Sequence, residues 1–290
     1  MNPDRIYRQY RDDALSKQVA AAEYSTFVAM PFCEMFSYRS RTILADVIQA
    51  AAKRANSKSL AHRKFSQPFR VDDHAGGARV ITEEITVQIL ESHIFIADLS
   101  FENAGVLLET GIAFGLKPNP QIILITQGRL ADLHFDIRNN NVISYNAKDS
   151  VDAIADAMIA AGNSFERDAD LYINSITKTL APDAIACLNH YGQLQQKSAA
   201  NSLYCGIAEI CFPGDSRANA RFDLAVMQLL QSRLLWTDWK VKALPNGDAF
   251  GMHATDLGWA VIFQKWPELQ KPSTAKAVRT SRRSSFVRKK

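Results

Sequence analysis

Short apolar runs alternate with amphipathic stretches of helical length, and this alternation restricts the fold more than any other feature of the sequence. HIFIADLS (93–100) and QIILITQ (121–127) have the length and aliphatic content of buried strands. An apolar helical stretch from Asn103 to Leu116 lies between them. A strand, a helix and a second strand in succession predict a parallel pair, because the chain must cross back over the sheet between its strands. The sequence therefore predicts an α/β fold around a parallel, flavodoxin- or Rossmann-like sheet.

The same alternation extends over the first half of the chain. Further predicted strands are TFVAMPF (26–32), FRVDD (69–73) and VISYN (142–146). Further predicted helices are SYRSRTILADVIQAAAKRA (37–55) and VITEEITVQILES (80–92), and NSKSLAHRKFSQP (56–68) is predicted to be a polar loop. Residues 1–24 predict a polar helix or arm before the first strand.

The second half predicts a separate, mainly helical domain. Helical patterns run from Val151 to His190, and RFDLAVMQLLQSRLLW (221–236) reads as a helix that ends in a strand. The pair Asn246-Gly247 then predicts a hairpin before a last helix. A hairpin that returns into a helix is typical of winged-helix domains, which dock on DNA or on proteins; a helical and hairpin dimerisation module is the alternative.

Four segments are expected in total. They are an N-terminal helical arm (1–24), the sheet domain (25–165), the winged-helix-like domain (166–270) and a basic disordered tail (271–290). The tail carries eight Lys or Arg and no acid, whereas the whole chain has a net charge of +4. Such a tail suits a polyanion such as DNA or RNA, although a merely solvated end is the alternative. The expected phosphate contacts are Arg279, Arg282, Arg283, Arg288, Lys289 and Lys290.

Other classes of protein are disfavoured by what the sequence lacks. No apolar run approaches the roughly 20 residues that cross a bilayer, and the polar first residues do not resemble a signal peptide. The four cysteines have neither zinc-site nor disulfide-framework spacing. Phosphate-binding loops, dinucleotide-binding glycines and a nucleophilic serine motif are absent as well. A cytoplasmic protein with reduced thiols, no metal, no cofactor and no membrane partner is expected.

Two carboxylates stand out in the stretch HIFIADLSFENAGVLLETGIAFGL (93–116). Asp98 ends a predicted strand, and Glu109 lies among apolar residues on the next helix. Since burying an unpaired carboxylate is costly, either both face a wet cleft, or one caps a helix and the other is a surface charge. Phe32 and Asp73 end other predicted strands and so share the carboxyl edge of the sheet, where ligands bind in such folds. Two acids at one edge favour glycosidic chemistry.

At these residues the sequence resembles a known family. FVAMPF, VDD, IADLSFENAGVLLETGIAFGL and FDIRNNNVISYN are similar to segments of the nucleoside 2-deoxyribosyltransferase-like fold. That group includes 2-deoxynucleoside monophosphate N-glycosidases and TIR-like NAD-cleaving domains. The resemblance covers about residues 25–150. It departs from the family where the usual NPNVFYELG reads NAGVLLETG, without the aromatic residue beside the glutamate.

The resemblance also implies roles for single residues. Glu109 would be the nucleophile or would stabilise an oxocarbenium-like carbon, and Asp98 would hold the sugar hydroxyls or orient Glu109. The implied substrate-binding residues are Phe32 on the base, Asp73 as a polar wall, Ser100 and Asn103 on sugar or phosphate, Gly105 at a close backbone approach, and Arg138 on phosphate or on an acid.

The substrate stays open between NAD and a deoxynucleoside monophosphate. An enzyme joined to a winged helix and a basic tail resembles toxic effectors of anti-phage defence systems, of which retron effectors are the nearest case. That resemblance implies a reverse transcriptase and its RNA–DNA product as partners, and relatives of this kind imply a homo-oligomer. The alternative is a non-catalytic, nucleotide-sensing winged-helix transcription regulator.

Overall fold

The computed structural model describes eleven stretches of the chain. They are residues 3–32, 38–58, 60–71, 81–134, 137, 139–145, 150–197, 211–238, 243–244, 247–248 and 251–267. The chain divides into two compact units, Met1–Leu171 and Tyr172–Lys290. None of the described helices combines the length and the apolar character that crossing a membrane requires.

A parallel sheet forms the centre of the first unit. The strands of this unit are β1 (Glu23–Tyr24), β2 (Thr26–Ala29), β3 (Lys64–Phe65), β4 (Ile94–Asp98), β5 (Ile122–Thr126) and β6 (Val142–Ser144). Four of them pair in the order β2-β4-β5-β6, and every pair is parallel. Each of the five residues of β4 is buried, as expected of a central strand with both faces covered. The predicted α/β fold with a parallel sheet is confirmed.

Helices connect these strands. They are α1 (Pro3–Ala20), α2 (Ser40–Ile43), α3 (Ala50–Lys58), α4 (Ile81–Glu91), α5 (Ala104–Leu116) and α6 (Ser150–Thr179), with a π-helical segment (Leu44–Gln49) between α2 and α3. Helix α5 packs against α4, β4 and β2. The apolar core between these elements includes Phe27, Phe95, Ala97, Leu124, Ile85, Ile89, Val106 and Ala113.

One prediction for the first unit is wrong in detail, and another falls partly outside the described residues. Of the expected strand FRVDD, residues 69–71 are described, and they form one parallel bridge, between Phe69 and Phe27; residues 72 and 73 lie outside the described residues. The stretch 56–68, expected to be a loop, contains the short strand β3, which pairs with β1. The ring of Phe65 in β3 packs against that of Tyr24, with the two ring centroids 5.0 Å apart. This buried aromatic contact holds the strand in place, although the polar residues around Phe65 in the sequence predicted a loop.

The second unit combines helices with antiparallel strands. Its elements after α6 are α7 (Pro182–Lys197), α8 (Ala218–Gln231), β7 (Leu235–Asp238), β8 (Ala243–Leu244), β9 (Gly247–Asp248), β10 (Gly251–Ala254) and α9 (Asp256–Lys265). β7 pairs with β10, and β8 pairs with β9, both antiparallel. The domain boundary expected after residue 165 falls inside α6, whose last residues belong to this unit.

The start of α9 packs closely against Leu234, the residue that precedes β7. Thr255 caps the helix, since its hydroxyl oxygen accepts a hydrogen bond from the N–H of Gly258 at 2.9 Å. A Cβ atom on Gly258 would lie 2.1 Å from the carbonyl oxygen of Leu234. Only glycine permits this approach, so one residue fixes how α9 meets the chain that leads into β7.

Candidate functional site at the carboxyl edge of the sheet

The strand order defines where a ligand would bind. Phe69, which follows β2 in the chain, lies beside β2 on one side, and β4 lies beside β2 on the other side. From β4 the chain continues to β5, which lies farther out on that second side. The direction of winding therefore reverses between β2 and β4. In doubly wound sheets ligands bind beyond the carboxyl ends of the strands at such a reversal. Asp98 is the last residue of β4, and Phe32 follows β2 by three residues, so both lie at this edge.

Asp98 is fully buried and accepts four hydrogen bonds. Its Oδ2 accepts from the hydroxyls of Tyr38 and Tyr145, each at 2.9 Å. Its Oδ1 accepts from the hydroxyl of Ser100 at 2.6 Å and from the N–H of Ser100 at 3.1 Å. We call these residues the Asp98 cluster: Tyr38, Asp98, Ser100 and Tyr145.

The Asp98 cluster joins the segments that follow four strands. Tyr38 lies beyond β2, Ser100 lies two residues after β4, and Tyr145 directly follows β6. The segment after β5 is included because the N–H of Gln127 donates to the Ser100 hydroxyl oxygen at 2.8 Å. A buried carboxylate whose acceptor positions are filled in this way is strongly stabilised in place. Asp98 therefore holds the edge of the sheet together.

Burial and hydrogen bonding act in opposite directions on Asp98. Burial raises the pKa of this carboxyl, and the hydrogen bonds from Ser100, Tyr38 and Tyr145 oppose that rise. Burial, followed by the nearby charge of Asp98, raises the pKa of the Tyr38 and Tyr145 hydroxyls. Both tyrosine hydroxyls thus remain protonated and donate to Asp98.

These contacts correct two expectations about the site. Asp98 does not face a wet cleft, because its side chain is 0% exposed; direct contact with sugar hydroxyls would require Tyr38 or Tyr145 to move. Ser100 is also buried, and its hydroxyl is engaged within the cluster, so it has no free surface for a sugar or phosphate. Asp98 and Ser100 instead hold the carboxyl edge of the sheet in place through their hydrogen bonds.

Glu109 is a different kind of carboxylate. It lies half-buried on α5, the helix that covers β2 and β4. Within the part of the chain that the structure describes, its carboxylate has no hydrogen bond and no ion pair. Burial alone raises the pKa of Glu109 to about 7. Asp98 does not contribute to this rise.

Asn103 and Gly105 form the start of α5. The side-chain oxygen of Asn103 accepts from the N–H groups of Gly105 at 3.0 Å and Val106 at 3.2 Å. Asn103 is therefore the N-cap of the helix, and its oxygen is already in use. Gly105 is exposed, so its backbone is accessible.

Two exposed aromatic rings flank the Asp98 cluster. Phe32 is 56% exposed, and the guanidinium of the buried Arg70 lies 4.5 Å from its ring centroid. Phe101 is 51% exposed, and its ring meets that of Tyr38 edge-on at 5.4 Å. The positive charge of Arg70 also acts on Tyr38, whose pKa it lowers against the larger effect of burial. Two apolar rings and one cation thus lie close to the reversal point.

Phe101 also has an unusual backbone. Its φ is 61°, and that of Glu102 is 46°, so two consecutive non-glycine residues occupy the left-handed region. This conformation costs of order 1–3 kcal/mol per residue and is concentrated at functional sites. The Glu102 side chain helps to hold it by accepting a hydrogen bond from the N–H of His134 at 2.7 Å.

Sequence reasoning missed four residues of this edge: Tyr38, Arg70, Phe101 and Tyr145. Tyr145 directly follows a strand, which was the one available signal; the others depend on tertiary contacts. Asp73 and Arg138 lie outside the described residues, and so do the expected nucleic-acid contacts Arg279, Arg282, Arg283, Arg288, Lys289 and Lys290. No group of three His, Cys, Asp or Glu residues able to hold a metal occurs in the described stretches.

Comparison of the chain with protein-family models, with curated proteins and with solved structures finds no match. The Asp98 cluster, Glu109 and the two exposed rings are therefore the features of the described chain that bear on its function.

Proposed function

We propose that the first unit binds a nucleotide at the carboxyl edge of its sheet and cleaves the N-glycosidic bond, with Glu109 as the catalytic carboxylate. The observation that carries the proposal is the half-buried, unpaired environment of the Glu109 carboxyl among the described residues. A half-buried carboxyl without a partner among the described residues, with a pKa of about 7, is destabilised by the fold. Such groups are concentrated at catalytic sites, where the shift serves the reaction.

The chemistry needs the ionised form of Glu109. Its carboxylate oxygen attacks C1′ of the sugar, the C1′–N bond breaks, and the bonding electrons leave with the base. Water then hydrolyses the glycosyl ester, which returns the carboxylate, gives a proton to the departed base or to solvent, and releases the sugar with its phosphate still attached. With a pKa of about 7, roughly half of the Glu109 side chains are ionised at neutral pH.

The surroundings supply the binding groups. Phe32 and Phe101 offer exposed faces on which a base can stack, and Arg70 places a positive charge behind Phe32. The Asp98 cluster fixes the four segments between which the substrate would lie. Support also comes from the resemblance to the nucleoside 2-deoxyribosyltransferase-like fold, which we propose for this unit and in which the residue at the Glu109 position is catalytic.

Two substrate classes follow from the leaving group. The nicotinamide of NAD carries a positive charge and departs as a neutral molecule without a proton. The base of a deoxynucleoside monophosphate needs an acid to protonate it as it leaves. Both classes are therefore included in the experiment.

The test is base release by Glu109→Gln. Purified wild-type protein and variant are incubated with NAD and with each deoxynucleoside monophosphate, and the products are followed by chromatography. We expect a loss of at least about 100-fold, because the variant keeps the volume and removes the transition-state charge. Glu83→Gln, which changes an exposed glutamate of α4, is the matched control and should keep full activity. Equal rates in wild type and Glu109→Gln would refute the role of Glu109.

A second candidate is nucleotide sensing without catalysis. The burial of Asp98 favours it, because the edge then offers one accessible carboxylate where two were expected. A sensor would bind a nucleotide saturably, release no base, and lose affinity when Phe32 is replaced by alanine. A regulator of transcription would in addition bind one promoter tightly.

For the second unit we propose a winged-helix-like module that contacts nucleic acid or a partner protein. The antiparallel pair β7–β10, followed directly by α9, supports this proposal, and so does the basic composition of residues 271–290. Together the units would form a toxic anti-phage effector, of which retron effectors are an example. Its partners would be a reverse transcriptase, the RNA–DNA product and further copies of the chain.

Growth experiments test the effector proposal. Expression of the wild-type chain alone should arrest bacterial growth and deplete a nucleotide pool, and Glu109→Gln should relieve both effects. Normal growth at a protein level confirmed by immunoblot would contradict it.

A further inference from the structure

A cavity lies at the amino edge of the sheet in the first unit. Ser92 precedes β4, Gln121 precedes β5 and Lys117 follows α5, so these residues mark the amino edge of the sheet, opposite the candidate catalytic site. The cavity has a volume of about 380 Å³, within the range of small-molecule sites. Its apolar lining consists of Ala14, Leu15, Leu90, Leu116, Pro118, Phe165 and Leu171.

Lys117 lines this cavity, and its buried amine has few hydrogen-bond acceptors. Lys117 is 6% exposed and lines the cavity. Its Nζ donates to the carbonyl oxygen of Ser92, which is its one hydrogen-bond acceptor among the described residues. That oxygen is shared, because the side-chain amide of Gln18 donates to it at 2.6 Å. An ammonium group has three donors, so two of them lack a protein acceptor in the described part of the chain.

Lys117 also lacks a neutralising charge. No carboxylate forms an ion pair with it in the described stretches, and burial lowers its pKa to about 7. The other charged or titratable groups around it are Arg11 on α1, Asp168 on α6 and His93 before β4. Burial lowers the pKa of His93 to about 4, so this ring is neutral at pH 7.

Asp168 is the one acid in the lining and is already engaged. Its Oδ2 accepts from the side-chain amide of Gln121 at 3.3 Å. With Arg11 and a protonated Lys117 opposed only by Asp168, the cavity carries one excess positive charge. A ligand with a single negative charge balances it, whereas the second negative charge of a phosphate ester would enter the cavity without a partner.

We propose that this cavity binds an apolar monocarboxylate, whose carboxylate accepts from the Lys117 amine and whose hydrocarbon body lies against Leu15, Leu116 and Phe165. The bound carboxylate supplies the hydrogen-bond acceptors that the Lys117 amine lacks among the described residues. The hydrocarbon part of the ligand covers apolar side chains of the lining that otherwise contact water. The site is independent of Glu109.

Binding should be linked to the proton on Lys117. The carboxylate attracts the ammonium form, so affinity is constant below the pKa of Lys117 and falls about tenfold per pH unit above it. Arg11 keeps its charge throughout, and His93 stays neutral. Above pH 7, each binding event therefore takes up a proton.

Hexanoate is the probe, with the full-length protein and isothermal titration calorimetry at pH 6, 7, 8 and 9. Hexylammonium, hexanol and hexyl phosphate are the comparison ligands. We expect saturable hexanoate binding that weakens above pH 7, proton uptake that depends on the buffer's ionisation enthalpy, and weaker binding of all three comparison ligands. No saturable binding of hexanoate at pH 6, or the same affinity at pH 6 and pH 9, would overturn the proposal.

Variants locate the site. Lys117→Met keeps the aliphatic stem and should weaken hexanoate binding at least tenfold at pH 6 without affecting base release. Leu15→Trp fills the cavity and should abolish binding even if Lys117→Met does not fold. Unchanged affinity in the folded Leu15→Trp variant would exclude this cavity as the site.

Discussion

At the scale of single residues, Asp98 and Glu109 show how the surroundings decide what a carboxyl group does. Asp98 is buried, but its carboxyl group accepts four hydrogen bonds. Glu109 is less buried, but no described residue compensates its charge, so its pKa rises to about 7. A compensated carboxylate stabilises structure, and an uncompensated one is available for reaction.

This difference predicts how stability depends on pH at Glu109. Its pKa is about 7 in the folded chain and 4.5 when unperturbed, so the folded state binds more protons between these values. Stability therefore falls as the pH rises through this window. Because the group is half-buried, the loss at pH 8 is about 1–3 kcal/mol.

Glu109→Gln removes this penalty. The variant should be more stable than wild type at pH 8 by about 1–3 kcal/mol, and the difference should shrink towards pH 5. Urea unfolding at both pH values measures it, with Glu83→Gln expected to stay within about 0.5 kcal/mol of wild type. A variant that is less stable at pH 8 would show that Glu109 has a stabilising partner.

At the scale of elements, two glycines in helices behave oppositely. Gly258 in α9 meets a backbone carbonyl, where a Cβ has no room, whereas Gly115 in α5 has nothing within 4 Å of its Cβ position. Gly258→Ala should therefore destabilise the second unit by about 3 kcal/mol or more. Gly115→Ala should stabilise the first unit by about 0.5–1 kcal/mol, because alanine favours helix.

Thermal unfolding followed by circular dichroism compares the two variants. Opposite shifts in midpoint are expected, downward for Gly258→Ala and upward for Gly115→Ala. A Gly258→Ala variant with the wild-type midpoint would mean that α9 does not approach Leu234 as the structure has it.

The elements also show how far sequence alone reaches. The apolar runs of β4 and β5 and the pattern of α5 predict the sheet and the edge at which Asp98 lies. The bonds from Tyr38 and Tyr145 to Asp98 join residues 60 and 47 positions apart, and no local pattern encodes them. Periodicity therefore predicts where the edge lies but not which of its carboxylates is buried.

At the scale of the whole molecule, the basic tail is expected to add nucleic-acid affinity without catalysis. Each lysine or arginine that neutralises a phosphate releases counterions, so binding should weaken steeply with salt. Truncation after Gln270 should lower both the affinity and its salt dependence while release of base from a small nucleotide persists. Electrophoretic mobility shifts across a salt series, with catalysis measured in parallel, provide the test. An unchanged salt dependence would assign the tail no role in binding.

The Asp98 cluster has a consequence for the speed of recognition. Because the Asp98 cluster and the N–H of Gln127 already join the segments after β2, β4, β5 and β6, this part of the edge is held together before any ligand arrives. A ligand that used it would meet a rigid receptor, so observed association rates should rise linearly with concentration, without the plateau that a slow rearrangement imposes. Tyr145→Phe would remove one hydrogen bond of the Asp98 cluster, so part of this edge would become ordered only when the ligand binds.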